Sequence, residues 1–367
     1  MPDRIEGLTT TVFTIPTDRP ESDGTLEWTT TTLVLAQVTS GDRRGIGYSY
    51  AAAAAARVID DMLAHIVVGR DPMAVAGAHV AMSKALRNAG RPGIGSHAIA
   101  AVDVALWDLK ARLLELPLAT LLGQCREAVP AYGSGGFTSY PLEELRRQLG
   151  DWASAGLRSV KMKVGREPER DLERVRVVRD AIGADTSLFV DANGAHTRPG
   201  ARAQAMRFGE YGVTWFEEPV SSDDLDGLRE LRSLAPPGMA IVAGEYGYDS
   251  WYFRRMLEAG AVDVLQADLT RCGGITGFLE AGALCASFGI PLSAHTAAAL
   301  HVAPCCAIPS VRNVEYFHDH ARIESMLFEG GPRLSDDGCL RPDLTAPGLG
   351  LAVKWADAER FRVDGSG

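Results

Sequence analysis

No two cysteines in this chain stand in the C-x-x-C spacing of a zinc or redox site. The six present (Cys125, Cys272, Cys285, Cys305, Cys306 and Cys339) are scattered, and free thiols in a reducing cytoplasm are expected rather than a disulfide framework. Also missing is any uncharged apolar run of about eighteen residues, the minimum for a membrane-spanning helix. The opening residues, MPDRIEGLTTTVF, have no basic-then-apolar signal architecture. Positive charge is in short supply, with a formal net charge of −10. That balance argues against a nucleic-acid partner, which calls for a basic face. It does not exclude an anionic small molecule, because a bound cation or local lysines can reverse the field at one site.

What is there is a soluble, globular composition, with 46% hydrophobic and 23% charged residues among 367. A chain of this length forms one large barrel or two domains. Residues 1–50 alternate in strand fashion, with the polar, turn-rich stretch TDRPESDGTLEW (17–28) between RIEGLTTTVFTIP and TTTTLVLAQVTS. The alanine run Ala51–Ala56 leads into a periodic helix and marks close helix packing. SHAIAAVDVALWDLKARLLELPLATLLG has the apolar spacing of a buried helix, closed by Gly123. Residues 1–125 are therefore expected to form an α+β unit.

From about residue 128 short apolar strands alternate with amphipathic helices, the pattern of repeated β/α units on a parallel sheet. The strands are VPAYGSGG, SVKMKVG, SLFVDAN, VTWFEEP, AIVAGE, VDVLQAD, GIPLSAH and RNVEYFH. Eight is the number that closes a β/α barrel, here over residues 126–329. Residues 330–367, rich in Gly and Pro at their start, form a tail expected to pack back on the first unit.

The stretch SVKMKVG poses a question, since Lys161 and Lys163 lie two apart and so share one face of a strand. Alone, it would suit an edge strand with a solvated lysine face. The other strands decide otherwise. Each ends in a polar residue: Lys163, Asp191, Glu217, Glu245, Asp268, His295 and Glu315, at intervals of 20 to 28 residues. One β/α unit per interval brings them all to the C-terminal mouth of the barrel, where such folds keep their active sites.

Asp191, Glu217 and Glu245, on consecutive strands, make an all-oxygen cluster that would repel itself without a cation. A hard divalent ion of the Mg²⁺ type suits this trio, whereas zinc prefers nitrogen or sulfur ligands. Asp268 is placed to hold a ring nitrogen of His295 and fix its tautomer. Lysines on one side of the cation and His295 on the other suit removal of a weakly acidic proton next to a carboxylate, through an enediolate stabilised by the metal and a cation.

These motifs resemble the enolase superfamily in its mandelate racemase subgroup, nearly end to end. KMK (161–163) is similar to the family's K-x-K; VDAN, FEEP and AGE to its three metal-ligand motifs; QAD and SAH to its His–Asp dyad. GGIT (273–276) and AIAAVDVALWDLKAR match as well. The resemblance implies a modified (β/α)7β TIM-type barrel with an α+β N-terminal capping domain completed by the C-terminal tail. It implies Mg²⁺ on Asp191, Glu217 and Glu245, Lys163 as the base for the S face, and His295 with Asp268 as the base for the R face. Lys161 and Glu315, in VEY, would hold the substrate carboxylate from opposite sides. The Lys161 ammonium and the metal would both depress the pKa of Lys163, as a general base needs. Asn193 and Glu218 stand beside the metal ligands, and Asn193 is a further candidate for substrate contact. The implied activity is α-proton abstraction from a hydroxycarboxylate, foremost dehydration of a sugar acid. Racemisation, epimerisation or cycloisomerisation are the alternatives, and a non-catalytic binding barrel is a third class. A homo-oligomer, octameric or smaller, acting on a small carboxylate is implied too.

Specificity would come from cap segments 17–28 and 48–58. The second is apolar through Ala51–Ala56, which disfavours a long polyhydroxylated acid. The first offers acidic and aromatic contacts. His318 and His320 form H-D-H, which after the last strand reads as a loop feature, and GRPGIGS (90–96) lacks the preceding strand of a dinucleotide site.

Overall fold

The computed structural model describes residues 4–363. Three long strands, β1 (Gly7–Ser22), β2 (Glu27–Ser40) and β3 (Arg43–Tyr50), form an antiparallel meander. Their Thr, Val, Ile and Leu residues favour the pleated conformation. The helix Ile94–Leu113 lies across this sheet. It comes close because β3 carries Gly45 and Gly47: a Cβ at either would overlap a helix carbonyl oxygen, that of Ala105 or Ala101 respectively. The small residues of the helix and the glycines of the strand are two halves of one contact.

Three local expectations change. The helix stops at Leu113, and the short helix Leu118–Leu121 is a separate piece. Pro117 explains the break, since the residue before a proline is steered away from helical angles. The stretch 17–28 is not an open loop: β1 continues to Ser22, and only a tight turn separates it from β2. Pro16 and Pro20 cannot donate to the ladder, and the register shifts between Pro16 and Glu21 as a bulge. Asp23 closes the turn by accepting from the backbone N–H groups of Thr25 and Leu26. His318 and His320 are not loop residues but open the helix His318–Leu327.

The barrel strands are β4 (Val129–Gly135), β5 (Ser159–Lys163), β6 (Ser187–Asp191), β7 (Val213–Glu217), β8 (Ala240–Ala243), β9 (Val264–Ala267), β10 (Leu292–Ala294) and β11 (Val311–Phe317). Each pairs in parallel with the next, and β11 pairs with β4 to close the ring. Closure leaves β5 no edge, so Val160, Met162 and Val164 are buried on one face and Lys161 and Lys163 on the other. Inside, Tyr132, Phe189, Trp215, Val242 and Val264 fill the ring, with Phe189 and Trp215 stacked at 4.7 Å. The tail first runs beside the barrel, where Cys339–Leu340 pairs with β4. It then reaches the cap, where Arg362–Val363 pairs with β1. Among the described residues no helix is long and apolar enough to cross a membrane.

Gly47→Ala should force the long helix away from the sheet and lower stability by about 1–3 kcal/mol, the usual cost of overpacking. Denaturant unfolding of wild type and variant checks this, and coincident transitions would show that the contact tolerates a methyl group.

Candidate active site

Strand register sets the geometry. Lys163 is paired with Asp191 and Asp191 with Glu217. On the far side Ala267 pairs with Ala294, so Asp268 and His295 leave their strands side by side. The residues after the strands turn sharply. Of the five non-glycine residues with positive φ among those described, Asn193 (47°), Glu218 (39°), Thr296 (51°) and Ala297 (39°) are at this mouth. Such strained backbone concentrates where side chains must be held in fixed directions.

One ligand atom from each of Asp191, Glu217 and Glu245 lies within 4.8 Å of the others, and all three residues are buried. Glu245 Oε2 is fully buried and faces His295 Nε2 at 3.3 Å. This buried all-oxygen set fits a hard divalent cation. Glu217 Oε2 is held from below by the Trp215 indole at 2.9 Å. Burial, then the neighbouring Asp191 carboxylate, pushes the Glu217 pKa up to about 8.

Both lysines of β5 reach this cluster. Lys161 Nζ is 2.5 Å from Glu217 Oε1 and 2.9 Å from Glu315 Oε1, and stands 5.4 Å above the Tyr132 ring. Burial opposes its charge, but Glu217 and Glu315 outweigh burial and hold its pKa well above the ordinary value. Lys163 Nζ donates to Asp191 Oδ2 at 2.5 Å and Asn193 Oδ1 at 3.2 Å. Here the expectation of a depressed pKa is not met. Burial and Lys161 do lower it, but Asp191 overrides them and the balance is upward. A divalent ion on Asp191 would remove that pull.

Across the mouth, His295 Nδ1 lies 2.9 Å from Asp268 Oδ2, while Nε2 faces Glu245 Oε2 at 3.3 Å and Glu315 Oε2 at 3.7 Å. Burial works against an imidazolium, yet Glu245 and Glu315 bring the His295 pKa up to about 10. Glu315 also accepts the Thr296 backbone N–H. Burial would raise Glu315, but Lys161 and His295 outweigh it and hold its pKa down to about 2. The structure thus brings together all the sequence-predicted residues, including Asn193.

Sequence reasoning missed Arg271. Its guanidinium spans the two halves of the site, 3.2 Å from Glu245 Oε1 and 3.5 Å from Asp268 Oδ2. Its only signal was a position three residues beyond Asp268. Also missed was the roof: the Tyr50 ring of the cap stacks on His320 with centroids 3.4 Å apart.

Comparison with known proteins places this geometry in context. A family model described as the mandelate racemase / muconate lactonizing enzyme N-terminal domain matches residues 8–123. One described as enolase C-terminal domain-like matches residues 144–358. A mandelate racemase/muconate lactonizing enzyme-like protein from Rubrobacter xylanophilus is similar at 51% identity, with a TM-score of 0.96 over 98% of this chain and 100% of that one. The 3,6-anhydro-alpha-L-galactonate cycloisomerase of Streptomyces coelicolor is 32% identical over 87% of this chain and 88% of its own. The L-talarate/galactarate dehydratase of Salmonella typhimurium, liganded with Mg and L-lyxarohydroxamate, shares 28% identity and a TM-score of 0.89 over 99% of this chain and 94% of its own.

With its pKa pushed up to about 8 by burial and Asp191, Glu217 should release a proton when Mg²⁺ binds near neutral pH. Affinity should therefore strengthen as pH rises toward 8 and level off above it. Calorimetry near neutral pH in two buffers of different ionisation heat reads the released proton directly. Buffer-independent heats would mean that the trio is already ionised. Glu217→Gln should weaken binding while leaving the circular dichroism unchanged.

Proposed function

The chain belongs to the mandelate racemase / muconate lactonizing enzyme family of the enolase superfamily, and we propose that it abstracts the α-proton of a small hydroxycarboxylate in a Mg²⁺-dependent reaction, foremost to dehydrate a sugar acid. The observation that carries this reading is the placement of two bases, Lys163 and the His295–Asp268 pair, across the mouth from each other with three carboxylates between them.

Asp191, Glu217 and Glu245 would hold the metal, and when bound it supplies positive charge beside the substrate carboxylate as its α-carbon loses a proton. Lys161 supplies a second, fixed positive charge beside that carboxylate, and Glu315, 2.9 Å from its Nζ, holds it in place. One base takes the proton from the α-carbon. In dehydration the His295 imidazolium, held by Asp268, gives its proton to the departing β-hydroxyl as the C–O bond breaks. The products are water and an enol that tautomerises to a 2-keto-3-deoxy acid. Asn193 bonds Lys163 and positions its amine. The dehydratase relative supports this outcome. The cycloisomerase relative supports a second, in which the same bases drive a rearrangement without net loss of water. A reducing, cytoplasmic setting agrees with six unpaired cysteines. Assembly into a homo-oligomer agrees with solvent-facing Leu26, Val80 and Trp251.

Incubation with a library of acid sugars, read by mass, tests the reaction: loss of one water marks dehydration and an unchanged mass with altered retention marks isomerisation. With a substrate in hand, EDTA should abolish turnover and Mg²⁺ restore it. Lys163→Ala and His295→Asn should each abolish or severely reduce turnover. Lys161→Met should cost on the order of 10²-fold in kcat, as when one preorganised charge contact is lost. Full turnover in both base variants would end the proposal.

A further inference from the structure

We propose a second divalent-cation site, of zinc-like preference, formed by Asp18 and Glu21 on the β1 bulge together with His318 at the start of the helix that follows β11. Among the described residues only two groups of three or more potential ligands have their donor atoms within 4.8 Å of one another. One is the Asp191–Glu217–Glu245 trio, and the other is Asp18–Glu21–His318. The second contains a buried carboxylate, Glu21, with one oxygen, Oε1, that no hydrogen bond satisfies.

Glu21 is 0% exposed, and its other oxygen takes the Trp28 indole N–H at 2.9 Å. A buried carboxylate oxygen left bare is costly unless a proton or a cation meets it. Arg322 does not come within ion-pair distance of Glu21: its Nη2 bonds Asp319 and the Pro16 carbonyl, and its own Nε is buried without a partner. His318 Nε2 lies 2.9 Å from Asp18 Oδ2. An imidazole with two carboxylates is a mixed nitrogen–oxygen donor set, which suits zinc better than magnesium, and water can complete the fourth position. Asp18 and His318 retain side-chain exposures of 42% and 25%, so an ion has a way in.

The position gives the site its role. Asp18 lies within the register shift of β1, and bulges of this kind re-aim side chains. His318 lies three residues beyond Glu315, on the barrel. An ion held by all three ties the cap to the rim of the barrel, as a clasp rather than a reaction centre.

The test is metal content of the full chain, dialysed against Zn²⁺ with Mg²⁺ in excess and measured by elemental analysis. One zinc per chain in addition to one magnesium is expected. Asp18→Asn and His318→Ala should each weaken zinc uptake by tenfold or more while retaining magnesium. Co²⁺ in place of zinc should show visible absorption that Asp18→Asn removes. If His318→Ala fails to fold, the half-exposed Asp18→Asn carries the comparison. Absence of zinc, zinc that only displaces magnesium, or equal uptake by wild type and folded variants would overturn the proposal. In that case the cluster is an Asp18–His318 pair beside a protonated Glu21.

Discussion

Charge compensation in a buried space governs the mouth of this barrel. Asp191, Glu217, Glu245, Asp268 and Glu315 are all nearly inaccessible to water, and carboxylates so placed cannot all be ionised without partners. Lys161, Lys163, Arg271 and a protonated His295 supply four positive charges against those five. With Glu217 ionised and the buried Glu218 kept neutral by its raised pKa, a divalent ion and one substrate carboxylate together would bring the sum to neutrality. The directions of the pKa shifts follow from that shortage: surrounding carboxylates favour the charged forms of Lys161 and His295, and burial beside Asp191 pushes Glu217 toward its neutral form. Ligand binding at such a site is a rearrangement of charge more than of shape.

The fold maintains this arrangement in two ways. Below, the ring is filled by Tyr132, Phe189 and Trp215, a layer that keeps water out. That layer is not inert: the Trp215 indole bonds Glu217, and the Tyr132 face lies under Lys161. Above, the cap contributes Tyr50 stacked on His320, and Thr31 bonds Asp319 on the barrel's last helix. The cap in turn keeps its shape through the Gly45 and Gly47 contact with the long helix. A low-dielectric site therefore depends on packing far from the reacting atoms.

The barrel and its ring of polar residues were legible in the sequence because closure converts a one-dimensional interval into a shared location. Each strand–helix unit returns the chain to the same rim, so Asp191, Glu217, Glu245, Asp268, His295 and Glu315 could be assembled without coordinates. What was not legible depended on partners chosen in three dimensions. Nothing marks Arg271 among the chain's many arginines until Glu245 and Asp268 converge on it. The protonation of Lys163 could not be read from its neighbour Lys161 alone, because Asp191, on the next strand, dominates. The stretch 17–28 looked like a loop from its one proline, its glycine and its polar residues, yet pairing with β2 resumes beyond the bulge. The H-D-H stretch looked idle because its partners, Asp18 and Tyr50, are some 270 to 300 residues away in sequence.

The two lysines of SVKMKVG show how one face of one strand can carry two different functions. Lys161 is 0% exposed and lies between Glu217 and Glu315 over an aromatic ring. It has no open route by which to lose a proton, and its surroundings make the charged form strongly preferred. Lys163, one pleat nearer the rim, keeps 6% exposure and touches Asn193, which turns out of its strand with positive φ. Its charge rests mainly on Asp191, a residue placed to give its electrons to a metal instead. A cation bound there weakens the hold on the Lys163 proton and leaves Lys161, which still has Glu315, charged. The same ion that compensates the carboxylates would thus divide the lysines into a fixed cation and a base.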